Sequence, residues 1–403
     1  MGNFMMHASG RRLYFFVACA ALLLAGCGGG GSTPTPTPDP VALPLVSMSP
    51  AGSTQAANAE VDAYVQAKMT EGKIPGLSLA VLENGRLLYA KSYGYADLDA
   101  RLPLRPEHRM EIGSISKTFA AAGAMLLVDE GKLDLDAKVS TYIGPVIPSW
   151  EAITVRHLLN HSSGLPEYPT DASRDIVEGK RILSEEEILA IYKTFPSTRT
   201  PGLSWSYSNV GYDVLGIILS RVSGRHYGAY LRDKMFTPLG MREIRIMAPN
   251  ESPAGNATGY AMVGSKLVAD SASPGLRNYG SLAASGVEAS LMDMVKYDAA
   301  LRGNTLLRQS SLDAMFSISI STGLTTGPTK APANFGLGWF LALIGSEHKS
   351  FHSGGMPGYI CNFIHYQEAG ITVIVLTNQG FQGQMPQTVT QGVARMYRPS
   401  LPE

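Results

Sequence analysis

Residues 113–131 read GSISKTFAAAGAMLLVDEG, with a serine and a lysine three positions apart at the head of an apolar run that ends in glycine. A helix is predicted from Ser116 to Glu130, with Gly131 as its C-cap. Phe119, Leu126 and Leu127 alternate with small Ala and Gly positions, so this helix is expected deep in the protein. Ser114 and Lys117 then share one helix face. A serine hydroxyl is a poor nucleophile until a base takes its proton. A lysine in an apolar pocket has a lowered pKa, because burial disfavours its charge, and can serve as that base. The helix N-terminus adds backbone N–H groups and a positive dipole where negative charge develops. By itself the pattern is weak, since about one Ser-x-x-Lys arises by chance in a chain of this size. A second occurs at Ser346–Lys349, in a polar stretch between two apolar runs where a turn is expected. The structural alternative for Ser114 is an N-cap serine beside a surface lysine.

Two further stretches bear on the same chemistry. Tyr207-Ser208-Asn209 precedes Gly211-Tyr212 and a helical run. A tyrosine near a cationic lysine can lose its proton more easily and act as a base, and the asparagine amide can hold a substrate carbonyl. The alternative is a helix start, with Asn209 capping backbone donors. His352-Ser353-Gly354-Gly355 is expected to open the strand region near the C-terminus. A strand edge there can line a cleft and pair with an extended substrate. The Gly355 N–H could supply an oxyanion donor beside that of Ser114. The alternative is a Gly-rich hairpin bend with an incidental histidine.

The order Ser-x-x-Lys, Tyr-x-Asn, then His-x-Gly resembles the class C β-lactamase and penicillin-binding serine hydrolases. Further blocks resemble the same family: His157-Leu158-Leu159-Asn160-His161-Ser162-Ser163-Gly164-Leu165-Pro166, Gly336-Leu337-Gly338-Trp339, Met356-Pro357-Gly358-Tyr359 after the third motif, and Leu376-Thr377-Asn378. The resemblance spans about Ala59 to Tyr397. It implies an α/β (α+β) fold, in which an antiparallel sheet flanked by helices packs on a mostly helical subdomain, with the active site between them. By resemblance Ser114 is the acylated nucleophile and Lys117 its general base. Tyr207 assists proton transfer to the leaving group and water activation, and Asn209 orients the substrate. His352, Ser353, Gly354 and Gly355 form the substrate-binding third motif, with the amides of Ser114 and Gly355 as oxyanion hole. Many class C β-lactamases have Lys-Thr-Gly where this chain has His-Ser-Gly, as in branches with D-amino-acid peptidases and esterases. Histidine is mostly neutral at pH 7, so it attracts a substrate carboxylate less than lysine does.

The resemblance therefore implies a serine hydrolase acting through an acyl-enzyme on an ester, amide or β-lactam. Alternatives are a penicillin-binding D-amino-acid peptidase or carboxypeptidase, a slowly deacylating binding or sensor protein, and a vestigial scaffold. The expected partner is a small-molecule or peptide substrate. No cofactor and no metal are expected: His157 and His161 are four apart, but no Glu follows His157 as the zinc-protease pattern needs. No Gly-x-Ser-x-Gly occurs, which argues against an α/β-hydrolase. Trp205 and Tyr168 are the better candidates for lining a cleft.

Working outward, Leu77 to Glu83 and Arg86 to Tyr93 flank Asn84-Gly85, a strong hairpin signal. A helix is predicted over Asn58 to Glu71, closed by Gly72. The segment 132–255 reads as helical stretches and Pro/Gly-rich loops, with helices at Val155–Asn160, Ser184–Tyr192 and Tyr212–Val222. Strands are expected at Gly338–Ile344, Tyr359–Tyr366 and Ile371–Leu376, and a closing helix at Gln387–Tyr397. Strands at both ends with helices between suggest one antiparallel sheet interrupted by a helical insertion. The domain proper is expected at 58–399.

The N-terminus reads as an address. Arg11 and Arg12 precede an apolar run of about 13 residues, too short to span a bilayer as a helix. It ends Leu24-Ala25-Gly26-Cys27, which resembles the bacterial lipobox, so 1–26 is expected as a signal peptide and Cys27 as the lipidated first residue. Gly28, in place of the Asp that commonly retains lipoproteins at the inner membrane, implies the outer membrane, facing the periplasm. Residues 27–57 form a Gly/Ser then Thr-Pro tether. With Cys19 removed and Cys27 lipidated, only Cys361 remains, so no intrachain disulfide is expected. The chain has 33 Lys+Arg and 33 Asp+Glu among 403 residues, a balance that excludes a basic nucleic-acid binder and an acidic disordered chain.

Overall fold

The computed structural model describes residues 47–48, 58–168, 183–246, 254–270, 283–326, 330–380 and 385–402. All of them belong to one unit that runs from Pro44 to Glu403. The expected signal peptide, Cys27 and nearly all of the tether lie outside the described residues.

A ten-stranded sheet organises this unit. Its strands are β1 (Ser47–Met48), β2 (Gly76–Glu83), β3 (Arg86–Asp97), β4 (Leu102–Pro103), β5 (Ile320–Thr326), β6 (Ala331–Phe335), β7 (Phe340–Ile344), β8 (Glu347–Met356), β9 (Tyr359–Tyr366) and β10 (Ile371–Thr377). The order is β1-β3-β2-β10-β9-β8-β7-β6-β5, with β4 on β3, and the pairings are antiparallel. N- and C-terminal strands thus meet at the centre, where β2 pairs with β10. Strand β10 is buried along its whole length, which is why it reads ITVIVLT with no polar alternation. The β2–β3 hairpin turns on Asn84 and Gly85, both with positive φ (47° and 76°), the conformation an Asn-Gly turn of this hand requires.

Helices cover both faces. On one lie α1 (Ala59–Gly72) and α8 (Met385–Tyr397). Val61, Val65, Met69, Val389 and Val393 pack there on Leu77, Leu79, Val81, Val373 and Val375. Asn58 caps α1 by accepting the Val61 N–H at 3.2 Å. Contrary to expectation, Gly72 is the last helical residue, and Lys73 takes the left-handed position at φ 52°. Gly72 serves space instead: a β-carbon there would stand 3.1 Å from the Ile74 side chain.

On the other face lie α2 (Ser116–Asp129), α3 (Val155–Leu159), α4 (Glu185–Tyr192), α5 (Asn209–Ser223), α6 (Leu291–Arg302) and α7 (Gln309–Phe316). The helical portion is thus wider than 132–255, and three short strands cross it as a small sheet: Met110–Glu111, Val287–Ala289 and Arg245–Ile246. The two faces follow from the period of two, since Ala80 and Leu82 of β2 point into this second core while Leu79 and Val81 point into the first. Helix α2 is buried almost entirely, with Phe119 stacked on Tyr297 at 4.0 Å. Its small residues permit the burial, since a β-carbon on Gly123 would press into Leu231 at 2.6 Å.

Two expectations fail near the C-terminus. Ser346–Lys349 is no turn: only Gly345 and Ser346 turn, and Lys349 lies on β8, buried against the rings of Phe351 and Tyr366 at 4.9 and 5.9 Å. Polar residues disguise a strand whose lysine is covered by aromatics. Nor does His352 open the strand region: β5, β6 and β7 precede it, and it sits in the second half of β8.

Candidate active site

Ser114 sits in a single 3-10 turn, Gly113–Ile115, that runs directly into α2. This turn packs on the end of β8, and the packing explains its glycines. Gly113 has φ 53°, and a β-carbon there would stand 2.7 Å from the Gly355 nitrogen. A β-carbon on Gly354 would collide with the Ile112 carbonyl and lie 3.1 Å from the Ser114 nitrogen. The backbones of 113–114 and 354–355 are thus in direct contact, with Gly355 open on its side-chain side. Pairing of β8 with β7 stops at Phe351, so the β8 edge from His352 onward is not covered by β7.

Lys117, one helical turn on, is fully buried. Its Nζ donates to Asn209 Oδ1 at 2.7 Å and to the Ala284 carbonyl at 2.8 Å, and lies 3.3 Å from Ser114 Oγ. A neutral amine has two hydrogens and one lone pair. The two acceptors take the hydrogens, and the lone pair is left for the Ser114 hydroxyl. Burial draws the Lys117 pKa down to about 7, opposed by the charges of Glu167 and Asp213.

Tyr207 precedes α5, and Ser208 caps that helix by accepting the Gly211 N–H at 3.0 Å. The Tyr207 hydroxyl hydrogen-bonds Ser114, and its ring lies 4.8 Å from Lys117 Nζ. Burial pushes the phenol well above its ordinary value, and the Glu167 charge adds to the rise. This corrects the expectation that the neighbouring lysine eases its ionisation: burial outweighs every opposing influence on the phenol. Asn209 opens α5, and its Nδ2 donates to Glu167 Oε2 at 2.9 Å.

His352 is buried on the same side of β8 as Gly354, while Ser353 is exposed on the opposite face. Nδ1 of His352 lies 2.7 Å from the Ser353 carbonyl oxygen, which can only accept, so the proton sits on Nδ1. Burial and the Lys117 charge press the His352 pKa down to about 3, so the ring is neutral. The three motifs therefore meet around Ser114, except that the Ser353 side chain points away.

Several residues hold places at the site that the sequence reading did not assign to them. His161 is fully buried, 4.2 Å from the Tyr207 ring, and accepts the Ser208 N–H on Nδ1 at 3.1 Å. Burial holds it neutral. His157, by contrast, caps α3, with Nδ1 accepting the Thr154 N–H at 3.2 Å. Asp213 is fully buried; its carboxylate accepts from Tyr168 and Tyr192, each at 2.9 Å, and from the Ala284 N–H at 3.3 Å. Burial raises its pKa to about 7. It thereby holds Ala284, the residue whose carbonyl accepts from Lys117. An Asp one residue into a buried helical run was the signal available in sequence. Trp205, half-buried, lies 6.2 Å from the Tyr207 ring, whereas Trp150 and Trp339 are core. Among the described residues no group of His, Cys, Asp and Glu could hold a metal ion.

Comparison with known proteins agrees with this geometry. The family model Beta-lactamase matches residues 61–394. Penicillin-binding protein 4* of Bacillus subtilis (strain 168) is 30% identical over 319 residues, 74% of this chain and 66% of that protein. The chain thus spans about two thirds of this relative's length. The octameric penicillin-binding protein homologue from Pyrococcus abyssi superposes with a TM-score of 0.72 at 29% identity, over 85% of this chain and 77% of that one. D-amino acid amidase from Ochrobactrum anthropi SV3 does so with a TM-score of 0.68 at 27% identity, over 84% and 97%.

Proposed function

The chain belongs to the Beta-lactamase family of serine hydrolases, and we propose that it cleaves an ester, amide or β-lactam carbonyl through an acyl-enzyme on Ser114. The observation that carries this is the wiring of Lys117. Its two donated bonds leave one direction, and Ser114 Oγ lies there at 3.3 Å. Ser114 Oγ attacks the carbonyl carbon as its proton passes to Lys117 Nζ. The oxyanion settles between the amides of Ser114 and Gly355. Tyr207, a neutral phenol, hands its proton to the leaving oxygen or nitrogen and recovers one from Lys117. The carbonyl–leaving-group bond breaks and the acyl-enzyme remains. Water then attacks that carbonyl, losing its proton along the same Tyr207–Lys117 route, and the Ser114 Oγ–acyl bond breaks. Asn209 and the β8 edge from His352 to Gly355 orient the substrate. Apart from the substrate and the attacking water, every group in this sequence of steps is a side chain or backbone amide of the chain.

The neutral His352 favours acyl donors that do not depend on a carboxylate for binding, so esters and amides are placed ahead of penicillins. Turnover of an activated ester, an amino-acid amide and a penicillin by the full chain tests this. Ser114→Ala and Lys117→Met are each expected to abolish turnover of every compound the wild type consumes. Undiminished turnover in Ser114→Ala would refute the assignment.

The same reading extends to the N-terminus. We infer that Cys27 carries lipid after removal of 1–26, and that the tether holds the hydrolase at the outer membrane on its periplasmic side. The lipobox-like Leu24-Ala25-Gly26-Cys27 supports this.

A further inference from the structure

We propose that Trp205 and Phe340 form a subsite for an aromatic leaving group, so that the enzyme prefers esters and amides whose departing alcohol or amine carries an aryl ring. The inference rests on the hydrolase reading and adds a substrate class to it. The rings make one continuous wall. Trp205 lies 6.2 Å from Tyr207, 6.0 Å from Phe340 and 6.2 Å from Phe335. Phe335 meets Phe340 edge-on at 4.8 Å, and Phe340 lies 5.5 Å from His352. Phe335 is fully buried, whereas Trp205 and Phe340 each keep part of their surface open. Leu203, two residues before Trp205, is 79% exposed. Aromatic surface left half in water beside a reacting centre is surface that a substrate ring gains by covering.

The position of the wall selects the leaving group over the acyl group. Phe340 is the first residue of β7 and pairs with Phe351, so it stands where the open edge of β8 begins at His352. Tyr207 gives its proton to the departing oxygen or nitrogen, and Trp205 is the ring beside it on the way to Phe340. A ring on the departing group therefore meets Trp205 and Phe340. The wall has no charge of its own, since His352 is neutral, and it suits an apolar group better than a carboxylate. Both rings are backed: Phe351 stacks on Phe340 at 5.4 Å, and His161 meets Trp205 edge-on at 6.1 Å. Rings already held in place lose little freedom when a ligand covers them.

The test uses the full chain with two matched series of esters. The first keeps the acyl group constant, as the butyrates of methanol, benzyl alcohol and 2-naphthylmethanol, three alcohols of similar acidity. The second puts the same rings on the acyl side, as the methyl esters of butyric, phenylacetic and 2-naphthylacetic acids. The wild type is expected to favour benzyl over methyl butyrate by about tenfold or more in kcat/KM, mainly through KM, with no comparable gain in the second series. Phe340→Ala and Trp205→Ala are each expected to cut that ratio by about tenfold, and Phe340→Tyr and Trp205→Phe to keep most of it. A ratio taken within one variant does not depend on the fraction folded. Equilibrium dialysis reads the same wall without turnover: the wild type is expected to bind 2-naphthylmethanol, and the two alanine variants to lose that binding. No binding by the wild type overturns the subsite, as does a gain from the ring on the acyl side only. Equal loss on benzyl and methyl butyrate in the alanine variants also overturns it, since the rings would then only support Tyr207 and His352. If methyl butyrate is turned over in a Ser114-dependent way while the leaving-group preference is absent, the subsite alone falls. If Ser114→Ala hydrolyses the butyrates as well as wild type, the hydrolase reading falls and takes the subsite with it.

Discussion

Lys117 must be neutral to take a proton, and its environment decides at what pH it is. With a pKa of about 7 it is charged and inactive as a base below that pH, and free above it. The acid limb of kcat/KM against pH is therefore expected at about pH 7, falling as pH drops. Asp213 raises the Lys117 pKa through its charge, so Asp213→Asn removes that charge and is expected to move that limb to lower pH. A purely structural role for Asp213 would lower the plateau and leave the limb where it is. His352 carries a complementary prediction. Its neutral ring gives no pull on a carboxylate, so His352→Lys is expected to raise kcat/KM for a penicillin relative to a neutral ester. An unchanged ratio would show that the carboxylate is held elsewhere. Ser114 and Lys117 were legible in sequence because their spacing on a helix is local. Asp213 and Glu167 were not, because each acts on Lys117 across a gap in the chain that only packing closes.

At the scale of elements, the site depends on how close β8 lies to the turn before α2. Gly354 allows that approach, and a β-carbon there would strike the Ile112 carbonyl. Gly354→Ala is therefore expected to push β8 away from Ser114 and cost about a hundredfold in kcat/KM, as a misplacement of about 1 Å does. Gly355→Ala, where a β-carbon meets nothing, is expected to be far milder. Parallel kinetics and thermal melts of the two variants check the contrast. The β2–β3 hairpin and α2 were readable from local chemistry, a turn that needs positive φ and a run of small and apolar residues. Strands β5 and β6 were not. β5 alternates exposed and half-buried residues in a sequence rich in Ser, Thr and Gly, which reads as loop. The small sheet of Met110–Glu111, Val287–Ala289 and Arg245–Ile246 joins segments far apart in sequence, in strands too short to show a period.

For the whole molecule, the central sheet couples two cores, and a buried polar cluster joins its helical face to the strands. Asp298 of α6 lies 2.8 Å from His365 Nε2 on β9 and accepts from Thr372 on β10 at 3.0 Å. Both Asp298 and His365 are fully buried. Asp298→Ala strips the partner from both groups and is expected to destabilise the fold by about 3 kcal/mol, read as the shift of a urea unfolding midpoint. A change near zero would show that the cluster adds nothing to the union of helix and sheet. The mixed architecture was legible from strands at both ends of the chain and helices between. The meeting of β2 with β10 at the centre was not, because antiparallel pairing across almost 300 residues leaves no local mark. At the same scale, Cys27→Ala is expected to release the protein from the membrane fraction into the soluble one. Retention in the membrane fraction would count against the lipid tether.

The most direct test of the central claim is acid-quenched intact mass and peptide mapping of the full chain, mixed with an activated ester at pH values on both sides of 7. An acyl group on the peptide bearing Ser114, absent from Ser114→Ala and forming more slowly as pH falls below about 7, is the predicted result. An acyl group mapped to any other residue, or formed as fast in Ser114→Ala, would contradict the account.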